Sequence, residues 1–179
     1  MRDWNVVVTV RDRRFRQALE ALAPLGEVQA TEFYNVLVMK VEDARALLET
    51  LRQRMETDPA IADSVAHLAP VEDAFVFQSA EQFESGARAV LMPRLDMLRG
   101  RSFHVRVHRR GFKGKLSGRD EEQRLARFVV DRLAEGGSQG QVRFDDPDYV
   151  VVLEMVGQRA GIVFWSRADR DRYPFVSVE

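Results

Sequence analysis

The chain has 179 residues, 45% apolar and 31% charged, with a formal net charge of −1 and no cysteine. These totals fit one large folded domain or two small ones and exclude a disordered chain. The missing thiols exclude a disulfide framework, a thiolate metal centre and a cysteine nucleophile. The N-terminal apolar run is too short for a signal-peptide core and no run approaches a membrane span, so a cytoplasmic protein with no membrane partner is expected.

Residues 4–10 (WNVVVTV) are short and β-branched, the pattern of a buried strand. Phe15, Leu19, Leu22 and Leu25 recur at helical spacing, and Gly26 follows as a stop. Residues 27–32 and 35–41 read as a strand pair with Asn35 at the turn. Ala44, Leu47, Leu48, Leu51 and Met55 restore the helical period, and the segment after Pro59 (IADSVAHLAP) reads as a second short helical piece, with His67 on or near its core side. A strand over 74–78 closes the series. The order β-α-β-β-α-β is that of a ferredoxin-like unit over residues 1–78. Residues 79–100 then read as a connecting helix, with Phe83, Ala87, Val90, Leu91, Leu95 and Leu98 on one stripe, a kink at Pro93 and an end at Gly100.

Residues 101–179 form the remaining domain. Phe103, Val105 and Val107 alternate with His104, Arg106 and His108, which places the two sets on opposite faces of a strand. A glycine-rich loop follows. Ser117 suits the cap of the next helix, and Asp120, Glu121 and Glu122 suit its first turn. Leu125, Phe128, Val129, Arg132 and Leu133 mark its inner side, and Gly136-Gly137 ends it. Strands over 149–156 and 160–165 come next, joined by Gly157-Gln158-Arg159, and the tail 166–179 reads as charged and solvated. The fold class is α+β.

The strongest functional signal is the run 101–119, RSFHVRVHRRGFKGKLSGR. It holds seven Lys and Arg residues and no carboxylate, so the rest of the chain carries a net −8. A basic island on an acidic body attracts a polyanion to one face, and nucleic acid is the expected partner. The polar strand face offers His104, Arg106 and His108. The loop adds Arg109, Arg110, Lys113 and Lys115, with Arg119 beyond it, and its glycines let backbone N–H groups approach phosphates. Phe112 is placed to stack on an unpaired base. A charged edge strand that resists aggregation is the plainer reading, but seven like charges exceed what that task requires. On the following helix, Arg132 is expected to pair with its own acids.

Other patterns carry less. His104 and His108 have metal-pair spacing only if helical, and they lie on a strand with no third ligand in view, so no metal and no cofactor are expected. Asp146-Pro147-Asp148-Tyr149 reads as a turn that launches the next strand. No phosphate-binding P-loop and no serine nucleophile elbow occurs. A general base would have to come from His104 or His108, and no catalytic residue is assigned.

The run SFHVRVHRRGFKGK, a helix, and then VRFDDPDYVVVLEMVGQRAGIVF together resemble the THUMP domain. The matching features are Arg106, Arg109, Arg110 and Gly111 at the end of an arginine-rich strand, then Val142, Pro147 and Asp148 at a turn, then Glu154 in the next strand. THUMP domains are usually preceded by a ferredoxin-like unit. The resemblance implies binding of tRNA, at its acceptor end, in the manner of the stand-alone branch that acts as an RNA-binding adaptor for a separate acetyltransferase. It places the RNA-binding surface on Arg106, Arg109 and Arg110. The chain is therefore expected to be a non-catalytic tRNA-binding accessory protein that serves a separate modification enzyme. An RNA-modifying enzyme in its own right and a basic-faced protein scaffold are the alternatives.

Overall fold

The structure is a computed structural model that describes residues 1–178. It divides into two compact units, residues 1–72 with 172–177 and residues 73–171.

The first unit runs β1 (Val6–Val10), α1 (Phe15–Leu22), β2 (Glu27–Ala30), β3 (Val36–Lys40), α2 (Ala46–Thr57), α3 (Pro59–Ser64) and β4 (Val65–Pro70). Its sheet is antiparallel throughout, in the order β2-β3-β1-β4. Central β1 buries Val6, Val7, Val8 and Val10, and the helices contribute Ala18, Leu22, Leu47, Leu48, Leu51 and Ile61 to the core. α3 starts where the sequence allows it. Asp58 Oδ1 accepts from the Ala60 amide at 2.9 Å, and Pro59 stands at the first helical position, where its missing N–H costs nothing.

Two expectations fail in this unit. The segment 61–70 is helical only at its start. The helix ends at Ser64 and Val65–Pro70 is the fourth strand. Val65, Leu68 and Ala69 satisfy helical spacing as well as a buried strand, and the partner β1 decides between them. His67 is consequently an exposed strand residue, away from any helical core. The strand expected over 74–78 exists as β5 (Asp73–Val76), but it pairs with another strand in the second sheet, because β4 already occupies the edge beside β1.

The second unit continues from β5 through α4 (Ala80–Leu91), a 3-10 segment over Met92–Leu98, β6 (Ser102–Arg110), α5 (Gly118–Glu135), β7 (Gln141–Val142), β8 (Tyr149–Val156), β9 (Arg159–Ser166) and α6 (Arg167–Arg172). The sheet order is β5-β9-β8-β6-β7, with β6 parallel to both β7 and β8. One face packs Phe103, Val105 and Val107 beside Val151, Leu153 and Met155, under Phe83, Ala87 and Leu91 of α4 and Leu125, Val129 and Leu133 of α5. α4 is thus part of this core rather than a bare connector. Ser79 caps α4 through the Gln82 amide, and Ser117 caps α5 through the Asp120 amide. The tail also departs from the solvated reading. After α6, Phe175 is 1% exposed, and its carbonyl accepts from the Leu68 amide at 3.1 Å within the first unit.

Candidate nucleic-acid interface

β6 has the expected alternation, and its length of nine residues positions everything in the basic run. Phe103, Val105 and Val107 enter the core. The opposite set, His104, Arg106, His108 and Arg110, is mostly withdrawn from solvent. His104 is buried, with its ring edge-on to Phe144 at 4.7 Å between centroids. Burial, with the neighbouring Arg106 charge, pushes its pKa down, so the ring is neutral at neutral pH.

Arg106 is half-buried. Its Nη1 lies 3.7 Å from Glu122, and its Nε finds no acceptor among the described residues. Glu122 also accepts from the Val107 amide at 2.9 Å, so one carboxylate both satisfies the free edge of β6 and holds Arg106.

Beyond it lies a buried acid that the charge count did not anticipate. Glu154 of β8 is 4% exposed and stands opposite His108 in the parallel register. His108 Nδ1 lies 2.7 Å from Oε1, and Arg110 Nη1 donates to Oε2 at 2.6 Å. Burial raises the pKa of this carboxyl, but His108 and Arg110 outweigh that and hold it below the ordinary glutamate range. His108 and Arg110 are therefore engaged by the protein's own acid.

The loop behaves differently. Arg109 folds back, its Nη1 donating to the Gly111 carbonyl. Phe112, expected to be free for stacking on a base, is turned inward. Its ring sits 5.1 Å from that of Phe77 and packs against the core, which corrects that expectation. The chain tolerates φ 53 at Phe112 and 78 at Gly114, so the turn reverses sharply while Phe112 and Leu116 pin it. What projects is Lys113 and Lys115, with Arg119 following in the first turn of α5, all three exposed.

At the other end of β6 is a groove of about 710 Å³, lined by Arg101, Ser102, Gln139, Gln141, Val142 and Arg143 among others. Arg101 and Arg143 are exposed, and the ring of Phe144, next in sequence, is 75% exposed. The floor is fixed by Asp148, which accepts from the Ser102 amide and hydroxyl, both at 2.9 Å. Those bonds, with Arg167, keep the Asp148 pKa low. Asp148 thus anchors the start of β6 to the turn before β8, as the turn reading of Asp146–Tyr149 requires. Cations lining a concave site, with an accessible aromatic side chain next to one of them in sequence, suit unpaired nucleotides.

The nine expected residues therefore do not converge on one surface. Lys113, Lys115 and Arg119 are accessible at one end of the strand. His104, Arg106, His108, Arg109, Arg110 and Phe112 are buried or bonded within the unit. A nine-residue strand spans roughly 30 Å, which separates the loop cations from the groove. Sequence reasoning missed Arg143 and Phe144. Their signal was an aromatic beside an arginine in an otherwise polar loop. On α5, Arg132 does pair with its own acid, Glu135, at 2.7 Å. Among the described residues no group of three or more His, Asp or Glu could hold a metal ion, and no helix is long and apolar enough to cross a membrane.

No protein-family model and no curated protein matches the chain. Solved structures do match in fold. PH1313 from Pyrococcus horikoshii, a THUMP-domain protein, aligns over 89% of this chain and 53% of its own, with 13% identity and a TM-score of 0.58. A 4-thiouridine synthetase in complex with RNA and ATP aligns over 91% of this chain and 41% of its own, at 13% identity and a TM-score of 0.56. TrmN from Thermus thermophilus aligns over 90% and 44%, at 16% identity and a TM-score of 0.58. The chain spans about two-fifths to one half of the length of these structures. The likeness supports a THUMP-like fold.

Proposed function

We propose that this chain binds RNA, tRNA foremost, and presents it to a separate modification enzyme without catalysing the modification itself. In this reading the first unit is ferredoxin-like, as its antiparallel order β4-β1-β3-β2 favours. The second is a THUMP-like RNA-binding domain, and the protein works in the cytoplasm. The observation that carries the proposal is the groove lined by Arg101 and Arg143, with the exposed Phe144 next in sequence and its ring against His104, on a fold shared with a synthetase solved in complex with RNA. Arginine forks hold phosphate oxygens bidentately, and an open phenyl ring stacks on any base. An acceptor end, unpaired at its terminus, is the part of tRNA that such a groove admits.

The test is tRNA binding across a salt series. Four phosphate contacts give a slope of log K on log salt near −3 with the single-strand coefficient of about 0.7 per contact, and more contacts steepen it. Arg101→Glu/Arg143→Glu should weaken tRNA binding at least about 25-fold at 0.1 M salt, the factor that two lost contacts account for. Arg110 is unsuitable for this test, since a carboxylate there would meet Glu154. Undiminished affinity in a folded Arg101→Glu/Arg143→Glu variant refutes the assignment. Equal affinity for tRNA, duplex DNA and heparin would mean a generic basic scaffold.

One observation favours an enzyme instead. Glu154 orients the His108 ring as a carboxylate orients a general base. Incubating tRNA with the protein and common group donors, then analysing nucleosides by mass, distinguishes the two. A new modified nucleoside formed without a second protein would establish catalysis.

A further inference from the structure

Residues 1–72 hold nine Lys and Arg against twelve Asp and Glu, and four of the nine fall within residues 11–16, Arg-Asp-Arg-Arg-Phe-Arg. The rest of that stretch of chain has five cations against eleven carboxylates. This unit thus carries its own basic point on an acidic body, which draws a polyanion to one side.

In the structure these residues form the turn from β1 into α1. Arg11, Arg13, Arg14 and Arg16 are all exposed. Arg14 bonds Gln17 at 3.1 Å and Arg16 bonds Glu20 at 3.0 Å, both neighbours on α1. Arg11 and Arg13 meet no acid among the described residues. Asp63 lines the shallow depression beside Arg11 and Arg14.

The turn is held in place. The Arg14 amide donates to the Arg11 carbonyl at 3.1 Å, and Arg13 is kept at φ 62, a conformation that long side chains seldom adopt. The one acid in the run is consumed in fixing it. Asp12 Oδ1 accepts from the Tyr34 hydroxyl at 3.1 Å and from Asn35 Nδ2 at 2.7 Å. Those bonds bring the turn between β2 and β3 against the arginines and set the Tyr34 ring, 80% exposed, beside them. α1 begins here with no side-chain cap and no acid in its first turn, so its leading amides add positive potential at the same place.

We propose that this turn is a second RNA contact, in which Arg11 and Arg13 grip phosphodiester oxygens and Tyr34 stacks on an adjacent base or ribose. The proposal rests on the RNA-binding reading above and adds a site on the other unit. Planar guanidinium forks beside an open aromatic ring match a chain of phosphates flanked by π-faces, whereas an acidic polypeptide supplies the charges and leaves the ring unused.

The experiment compares the full chain with Arg11→Gln/Arg13→Gln, Tyr34→Ala and Tyr34→Phe, each checked for an unchanged thermal melt, by tRNA anisotropy titrations across a potassium chloride series. The double variant should bind about 25-fold more weakly at 0.1 M salt, and its log–log slope should be shallower by about 1.4, the effect of two contacts. Tyr34→Ala should lose about five-fold or more, and Tyr34→Phe, which keeps the ring, should bind like the parent. If the parent binds tRNA and Arg101→Glu/Arg143→Glu abolishes binding while Arg11→Gln/Arg13→Gln keeps affinity and slope, this site is overturned and the groove stands. If the double variant keeps tRNA but loses binding to poly-glutamate, the turn recognises acidic protein and the proposal is likewise overturned. If the parent shows no salt-dependent tRNA binding, both readings fall together.

Discussion

Replacing Glu154 by leucine probes the buried carboxylate that organises the end of β6. The side chain is 5% exposed and serves two cationic partners, His108 at 2.7 Å and Arg110 at 2.6 Å. A hydrogen bond to a charged group contributes about 1.5–3 kcal/mol. Removing one member of a buried ionic cluster costs about 3–5 kcal/mol, because the remaining charges stay desolvated. Two such bonds place Glu154→Leu at about 3–5 kcal/mol. Glu154→Gln, which keeps one acceptor oxygen, should cost about half of that. Trp4 lies in the first unit and Trp165 in the second, both buried, so removing one leaves a single fluorophore in a known place. In a Trp4→Phe background the urea transition is followed by the fluorescence of Trp165, and its midpoint should move down for Glu154→Leu and less for Glu154→Gln. A loss below about 0.5 kcal/mol for Glu154→Leu would show that the cluster does not hold β6 to β8, and the account of why His108 and Arg110 are engaged within the unit would fail.

Three further outcomes follow from single positions. His104 has its pKa pushed below the ordinary value, so under acid the unfolded chain takes up a proton that the folded site resists; the second unit should lose stability as pH falls through about 6.5, and His104→Phe should flatten that dependence in melts from pH 7.5 to 5. Glu49 is held at a pKa of about 2 by Arg52 and Arg172, so its stabilising effect is present above about pH 4.5 and disappears as pH approaches 2; Glu49→Gln should free the segment after α6, read as faster amide exchange at Leu68, whose N–H reaches Phe175. Gly86 of α4 lies under the Phe75 ring, where a Cβ would come within 2.2 Å of Cδ2; Gly86→Ala should destabilise the second unit by about 1–3 kcal/mol despite alanine's better helix propensity, and a stabilised variant would contradict the packing.

Much of the second unit is legible in the sequence, for local reasons. The alternation of Phe103, Val105 and Val107 sets the faces of β6. The stripe from Phe83 to Leu98 marks the buried side of α4 and the 3-10 segment after it, and Ser117 and Gly136 bracket α5. Each of these is a property of residues within a few positions of one another. Val65–Pro70 is not legible in that way, because its apolar spacing fits helix and strand alike until β1 supplies a partner. The place of Asp73–Val76 is likewise set by which sheet still has an open edge.

The candidate site divides along the same line. The sequence alone determines that cations concentrate in 101–119, because counting charges needs no coordinates. Which of them can meet a ligand is a tertiary matter. Glu154 lies 44 residues from Arg110 along the chain and becomes its partner only through the parallel register of β6 and β8, while Phe112 is taken from solvent by Phe77, 35 positions away. Arg101 and Arg143 come to line one groove only when Gln141 pairs with Ser102. Propensity and capping act within a turn of helix or a few strand residues, whereas ion pairing, stacking and groove formation depend on contacts that folding brings together from distant segments.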